Sequence, residues 1–255
     1  MSILDRFSLK NQKALVTGGG SGIGKGLALA LAEVGADVAV ADINLPSAEK
    51  TAEDLTKLGV ASFAIEVDVA DASQVQNMVK RVVDRWSRLD VAINSAGIGI
   101  HIPAEELTEE LWDQMLNVNL KGIFLCNTEE AQIMLAQGAG SIINIASMSG
   151  RIANRPQLHA HYNASKAGVV QYSRSCAAEW ANRGVRVNTI SPGHMMTPMT
   201  AKVPPEWVST WVSNTPMARV GTPEDLMGAA IYLASAASEY VTGHDLIVDG
   251  GYTLW

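Results

Sequence analysis

The chain has 255 residues, 47% hydrophobic and 18% charged, which is enough to close one sizeable core without a second domain. A formal net charge of -7 with no basic stripe argues against nucleic acid as a partner. The most apolar stretch, GLALALAEVGADVAVA, is broken by Glu33 and Asp37, and MSILDRFSLK has no apolar run, so neither a membrane span nor a secretory signal is expected and the expected compartment is the cytoplasm.

KALVTG at 13–18 reads as a short buried strand, and GIGKGLALALAEVG follows with helical spacing and stops at Gly35. DVAVAD at 37–42 is a second strand, followed by a polar-faced helix that ends at Gly59. SFAIEVDV at 62–69 is the third strand, 71–86 a helix, and LDVAINSAG at 89–97 the fourth strand. Helices over roughly 105–116 and 119–137 lead to GSIINIAS at 140–147. A long helix is expected over 161–182; VRVNTISPG is the sixth strand and DLIVDGG the seventh. Near-continuously apolar strands separated by helices imply an α/β fold, a doubly wound parallel sheet covered on both faces. The stretch 193–221 carries four prolines and three glycine or asparagine breakers and reads as an insertion, with a substrate lid expected over about 194–215, where Trp207 and Trp211 lie. Cys126 and Cys176 form no disulfide framework and read as small buried hydrophobes in a reducing compartment.

Two patterns carry chemistry. TGGGSGIG at 17–24 places Gly18, Gly22 and Gly24 between the first strand and first helix, where glycine allows a tight turn and close approach of a pyrophosphate to the backbone. Asp42 ends the second strand, where a carboxylate can accept the hydroxyls of an adenosine ribose; the other reading is an acid at a helix N-terminus. In HYNASKAGV, Tyr162 and Lys166 stand four residues apart, one turn apart on one helix face. A free tyrosine has a pKa near 10 and is a poor base at neutral pH. A neighbouring ammonium favours the phenolate and is expected to lower that pKa toward the range useful for proton transfer.

TGGGSGIG, DV at 68–69, NSAG at 94–97, NVNLKGIF, NIASMSG, YNASK, SPG at 191–193 and DGGY at 249–252 occur in order along nearly the whole chain. In these motifs the sequence resembles the short-chain dehydrogenase/reductase family. The resemblance implies a single-domain Rossmann fold and catalysis by Asn119, Ser147, Tyr162 and Lys166, with Asn119 at a helix kink and a water, Ser147 beside the substrate oxygen and Lys166 also on the nicotinamide ribose. It places the cofactor along Gly18, Ser21, Gly22, Ile23, Gly24, Asp42 and Ile43. It continues past Asp68, Val69, Asn94, Ala96 and Gly97 to Tyr162 and Lys166, then to Pro192, Gly193, Met195 and Thr197. Ser147 precedes Tyr162 by fifteen residues, about two more than in many members, and Ser149 is a rival or a substrate contact.

Asp42 would repel a 2′-phosphate, and Gly19, Gly20, Ser21 and Ile43 offer no cation, so NAD is the expected cofactor. The segment MSGRIANRPQLHAH resembles the sugar-alcohol and ketose branch of the family. A polyol or ketose is therefore the expected substrate, with Ser149, Asn154, Gln157, His159 and His194 as contacts. His159 and His161 flank the helix start; one is expected to meet substrate and the other to face outward. His101 and His244 have no motif context and receive no role. No His spacing suits a metal, so none is expected in catalysis. The alternatives are a reductase of apolar, cyclic or acyl-carrier-bound ketones and a non-catalytic dinucleotide sensor. Wide apolar helix faces and the terminal Trp255 point to a homotetramer.

Overall fold

The computed structural model describes residues 2–255. Seven strands form one parallel sheet: β1 (Lys13–Thr17), β2 (Asp37–Asp42), β3 (Ser62–Glu66), β4 (Val91–Asn94), β5 (Gly140–Ile145), β6 (Val185–Pro192) and β7 (Asp245–Val248). Their spatial order is β3-β2-β1-β4-β5-β6-β7, and every neighbouring pair is parallel. The order reverses between β1 and β4, which opens a crevice at the carboxyl ends of these strands, where ligands bind in such sheets.

Side chains alternate across the sheet, and each face has its own helical layer. Val16, Val40, Ile93 and Ile143 pack with Leu27 and Leu31 of α1 (Gly22–Glu33), Leu55 of α2 (Leu45–Thr56) and Leu233 of α8 (Glu224–Ala234). Leu15, Ala39, Ala92 and Ile142 pack against Val75 and Val79 of α3 (Ala72–Trp86), Met134 of α5 (Gly122–Gln137) and Cys176 of α6 (Ala160–Trp180). Cys126 and Cys176 are buried and free. Among the described residues no helix is long and apolar enough to cross a membrane.

Three elements differ from the sequence expectation. The helices expected over 105–116 and 119–137 are continuous: α4 (Glu109–Leu116) enters a π turn at Asn117–Lys121 and leaves it as α5. Thr108 caps α4 by accepting from the Leu111 N–H at 3.3 Å, so the helix starts four residues later. Within the insertion lies α7 (Pro205–Asn214), begun by a proline at its first position. α8 was not among the expected elements, although Glu224 and Asp225 mark its first turn.

A polar cluster lies inside the core below the crevice. The Asn94 amide donates to Asn127 Oδ1 at 3.1 Å, Glu130 Oε2 at 2.9 Å and Asn144 Oδ1 at 3.1 Å. Burial lifts the Glu130 carboxyl from 4.5 to about 7, with the Asn94 bond working against it. The folded state therefore binds this proton more tightly than the unfolded chain, so stability is full below 4.5 and falls as pH rises to about 7. The expected loss across that window is about 3 kcal/mol. Urea unfolding of Glu130→Gln should show this loss removed; an unchanged pH dependence would assign it to other groups.

Candidate active site

A cavity of about 940 Å³ occupies the crevice. Gly18 has φ +66°, and a Cβ on it would come within 2.8 Å of the Ala96 backbone, so the turn after β1 packs against the end of β4. Ser21 precedes α1 and makes no side-chain cap, leaving the helix N-terminus facing the cavity. Asp42 accepts from the Gly20 N–H and the Asn44 N–H, both at 2.9 Å, and lines the cavity beside exposed Ile43. A glycine cradle, a free helix end and an acid at the second strand fit a dinucleotide. Gly22, Ile23, Gly24, Asp68, Val69, Ala96 and Gly97 line the same space, as do Pro192, Gly193, Met195 and Thr197 at its other end. Asn94 does not: its side chain is turned into the core and its amide is committed to Asn127 Oδ1, Glu130 Oε2 and Asn144 Oδ1.

Tyr162 and Lys166 project from α6 into the cavity, and Ser147 lies just beyond β5 on the same wall. The Ser147 hydroxyl accepts from the Ser149 N–H at 3.1 Å, which fixes its direction. Asn119 sits in the π turn, fully buried. Its carbonyl accepts from the Ile98 N–H and its amide donates to Ile98 O, both at 2.9 Å, which pins the chain leaving β4. π turns of this kind recur at functional sites.

The Lys166 ammonium donates to Ile145 O at 2.8 Å and stands 5.7 Å from the centre of the Tyr162 ring. Burial brings this ammonium down to about 8. Burial also raises the Tyr162 phenol above its usual range, with the Ser147 hydroxyl pulling the other way. Without a bound cofactor, desolvation of the Tyr162 phenol outweighs an ammonium held on a backbone carbonyl.

Beyond Tyr162 the wall is polar. Both amide atoms of Asn154, both ring nitrogens of His159 and Nε2 of His194 are buried without a protein partner, and all three residues line the cavity with Ser149. Gln157 also lines it, but its carbonyl accepts from the Trp211 indole at 3.0 Å, so it is committed to α7. His194 stacks on Trp211 at 4.2 Å and meets the edge-on Tyr252 ring at 5.0 Å. Burial, then neighbouring histidine charge, lowers His159 to about 4 and His194 to about 3, so both are neutral near pH 7. His161 does not face outward as one of the helix-start pair was expected to: it is fully buried. His101, given no role in sequence, lines the cavity. Its signal was positional, four residues past Gly97 on a loop at the carboxyl end of a parallel strand.

A family model described as enoyl-(acyl carrier protein) reductase matches residues 18–253. Galactitol 2-dehydrogenase of Rhizobium johnstonii is 41% identical over the whole of both chains. The crystal structure of a short-chain type dehydrogenase/reductase from Mycobacterium marinum superposes with a TM-score of 0.96 at 39% identity, covering 99% of each chain.

The chain belongs to the short-chain dehydrogenase/reductase family.

Other relatives widen the range of substrates and cofactors within this family. A probable NADP-dependent mannitol dehydrogenase of Yarrowia lipolytica is 44% identical, over 98% of this chain and 91% of that protein. A 3-oxoacyl-[acyl-carrier-protein] reductase of Staphylococcus aureus is 40% identical over 94% and 97%. The chain is therefore an oxidoreductase of this family that uses a nicotinamide dinucleotide.

Proposed function

We propose that this enzyme oxidises a secondary alcohol of a linear polyol to the corresponding ketose, and catalyses the reverse reduction, with NAD(H). The observation that carries this reading is the set of buried hydrogen-bonding atoms on Asn154, His159 and His194, left without protein partners on the wall beyond Tyr162. An apolar ketone would leave them unpaired, at about 1–3 kcal/mol each, whereas a chain of hydroxyls pairs them.

The bound nicotinamide supplies the hydride acceptor. Tyr162 Oη takes the hydroxyl proton, Ser147 holds the same oxygen, and Lys166 holds the ribose and favours the phenolate. Asn119 keeps the Ile98 loop and the π turn in place around them. Trp207 and Trp211 on α7 form a lid over about 194–215 that excludes water.

The test on substrate is Asn154→Ala. It should lower kcat/KM on polyols by about 1–3 kcal/mol in transition-state terms, and by less on a simple secondary alcohol. Equal losses on both would make Asn154 structural and remove the main support for a polyol.

NAD is favoured by Asp42, whose carboxylate lines the cavity and would repel a 2′-phosphate. Asp42→Ala should shift the ratio of kcat/KM for NAD to that for NADP by about tenfold or more, the worth of a charge-assisted hydrogen bond. Unchanged selectivity would place Asp42 away from the ribose.

A further inference from the structure

His101 lies on the loop leaving β4, which is anchored at both ends. Asn119 clamps Ile98 through two hydrogen bonds of 2.9 Å. Four residues later the Ile102 N–H donates to Leu158 O at 2.8 Å, joining this loop to the segment that carries Asn154, Gln157 and His159. The His101 ring is therefore held between two elements.

Its neighbours form a line of rings. The His159 ring is 4.9 Å from Tyr162 and tilted by 30°. The His101 ring is 5.2 Å from His159 with the same tilt, and Trp207 of α7 closes the line edge-on at 5.1 Å from His101. Tyr162, His159, His101 and Trp207 all line the one cavity. His101 stands two ring contacts from the reacting phenol, at the exposed mouth, while His159 is buried. Burial, then His161, holds the His101 pKa below the usual range for histidine. A neutral imidazole offers one donor and one acceptor, which matches a hydroxyl.

We propose that His101 is a specificity-determining residue that hydrogen-bonds a hydroxyl at the end of the polyol remote from the reacting carbon, with Trp207 covering the adjoining C–H face. This rests on the polyol reading above. It extends that reading from the hydroxyls near Tyr162 to the length of chain the site accepts. A short diol held at Tyr162 and Ser147 would not reach His101; a hexitol would.

The test compares a hexitol with butane-2,3-diol in wild type, His101→Ala, His101→Gln and His101→Phe. His101→Ala is expected to lower kcat/KM on the hexitol by about tenfold or more, mainly through KM, and to change the diol by less than about twofold. Gln, which keeps a donor and an acceptor, should restore most of the hexitol activity; Phe, which keeps only the ring, should not. Equal losses on hexitol and diol, full activity of His101→Ala on the hexitol, or rescue by Phe would each overturn the proposal while leaving the polyol reading intact. A wild-type enzyme inactive on hexitols and ketoses alike would overturn the polyol reading and this proposal with it.

Discussion

Tyr162→Phe should retain the fold and the cofactor affinity and lose about 10²–10⁴ of turnover, the usual contribution of a positioned general acid–base group. Only Oη is removed. The ring keeps its place on α6 against His159. Burial raises the phenol in the free enzyme, so the basic form needed for alcohol oxidation is scarce near neutral pH. Oxidation by wild type should accordingly climb with pH, and reduction, which needs the protonated phenol, should be favoured at neutral pH. A folded Tyr162→Phe enzyme with wild-type kcat would rule out Tyr162 as the proton carrier.

Lys166→Ala should damage two quantities together. The ammonium is buried and bonded to Ile145 O, at the last residue of the strand that leads to Ser147. Loss of a charge-assisted hydrogen bond to the ribose should weaken cofactor binding by about tenfold or more. Loss of the cation beside Tyr162 should also cut kcat by about 10² or more. Lys166→Met serves as the control for packing, since it fills the same space without the charge. It should reproduce both losses; if it restored cofactor affinity, Lys166 would be acting through volume. Fluorescence titration with the cofactor and steady-state kinetics separate the two effects.

The sheet was legible because its strands are short apolar runs bounded by glycine and aspartate, and β1, β2, β5 and β6 fall close to the expected bounds. Strand ends were less so. β3 and β4 stop at Glu66 and Asn94, several residues before the apolar run does, because the chain leaves the sheet there to line the crevice. Periodicity cannot see that departure. The continuity of the helix through 117–121 was not legible, since a π turn adds one residue without any composition signal. Nearly all expected site residues meet in one cavity because glycine, aspartate, tyrosine and lysine there are tied to motifs of fixed spacing. The direction of the Asn94 side chain was not legible, because a motif position does not say which way a side chain turns and its partners Asn127, Glu130 and Asn144 lie on other elements. Gln157 looked free for the same reason; its partner Trp211 is 54 positions away in sequence. The balance of charge at Tyr162 was not legible either, since desolvation depends on the closed cavity and not on the Tyr162 to Lys166 spacing.

The central claim is tested most directly by incubating the purified enzyme with a panel of hexitols, pentitols and ketoses, alongside a 3-oxoacyl thioester and a cyclic ketone, using NAD and NADP forms in parallel and following absorbance of the reduced nicotinamide. The expected result is turnover of at least one linear polyol and its ketose, with NAD preferred by about tenfold or more. Turnover of the thioester or cyclic ketone with no activity on any polyol or ketose would contradict it.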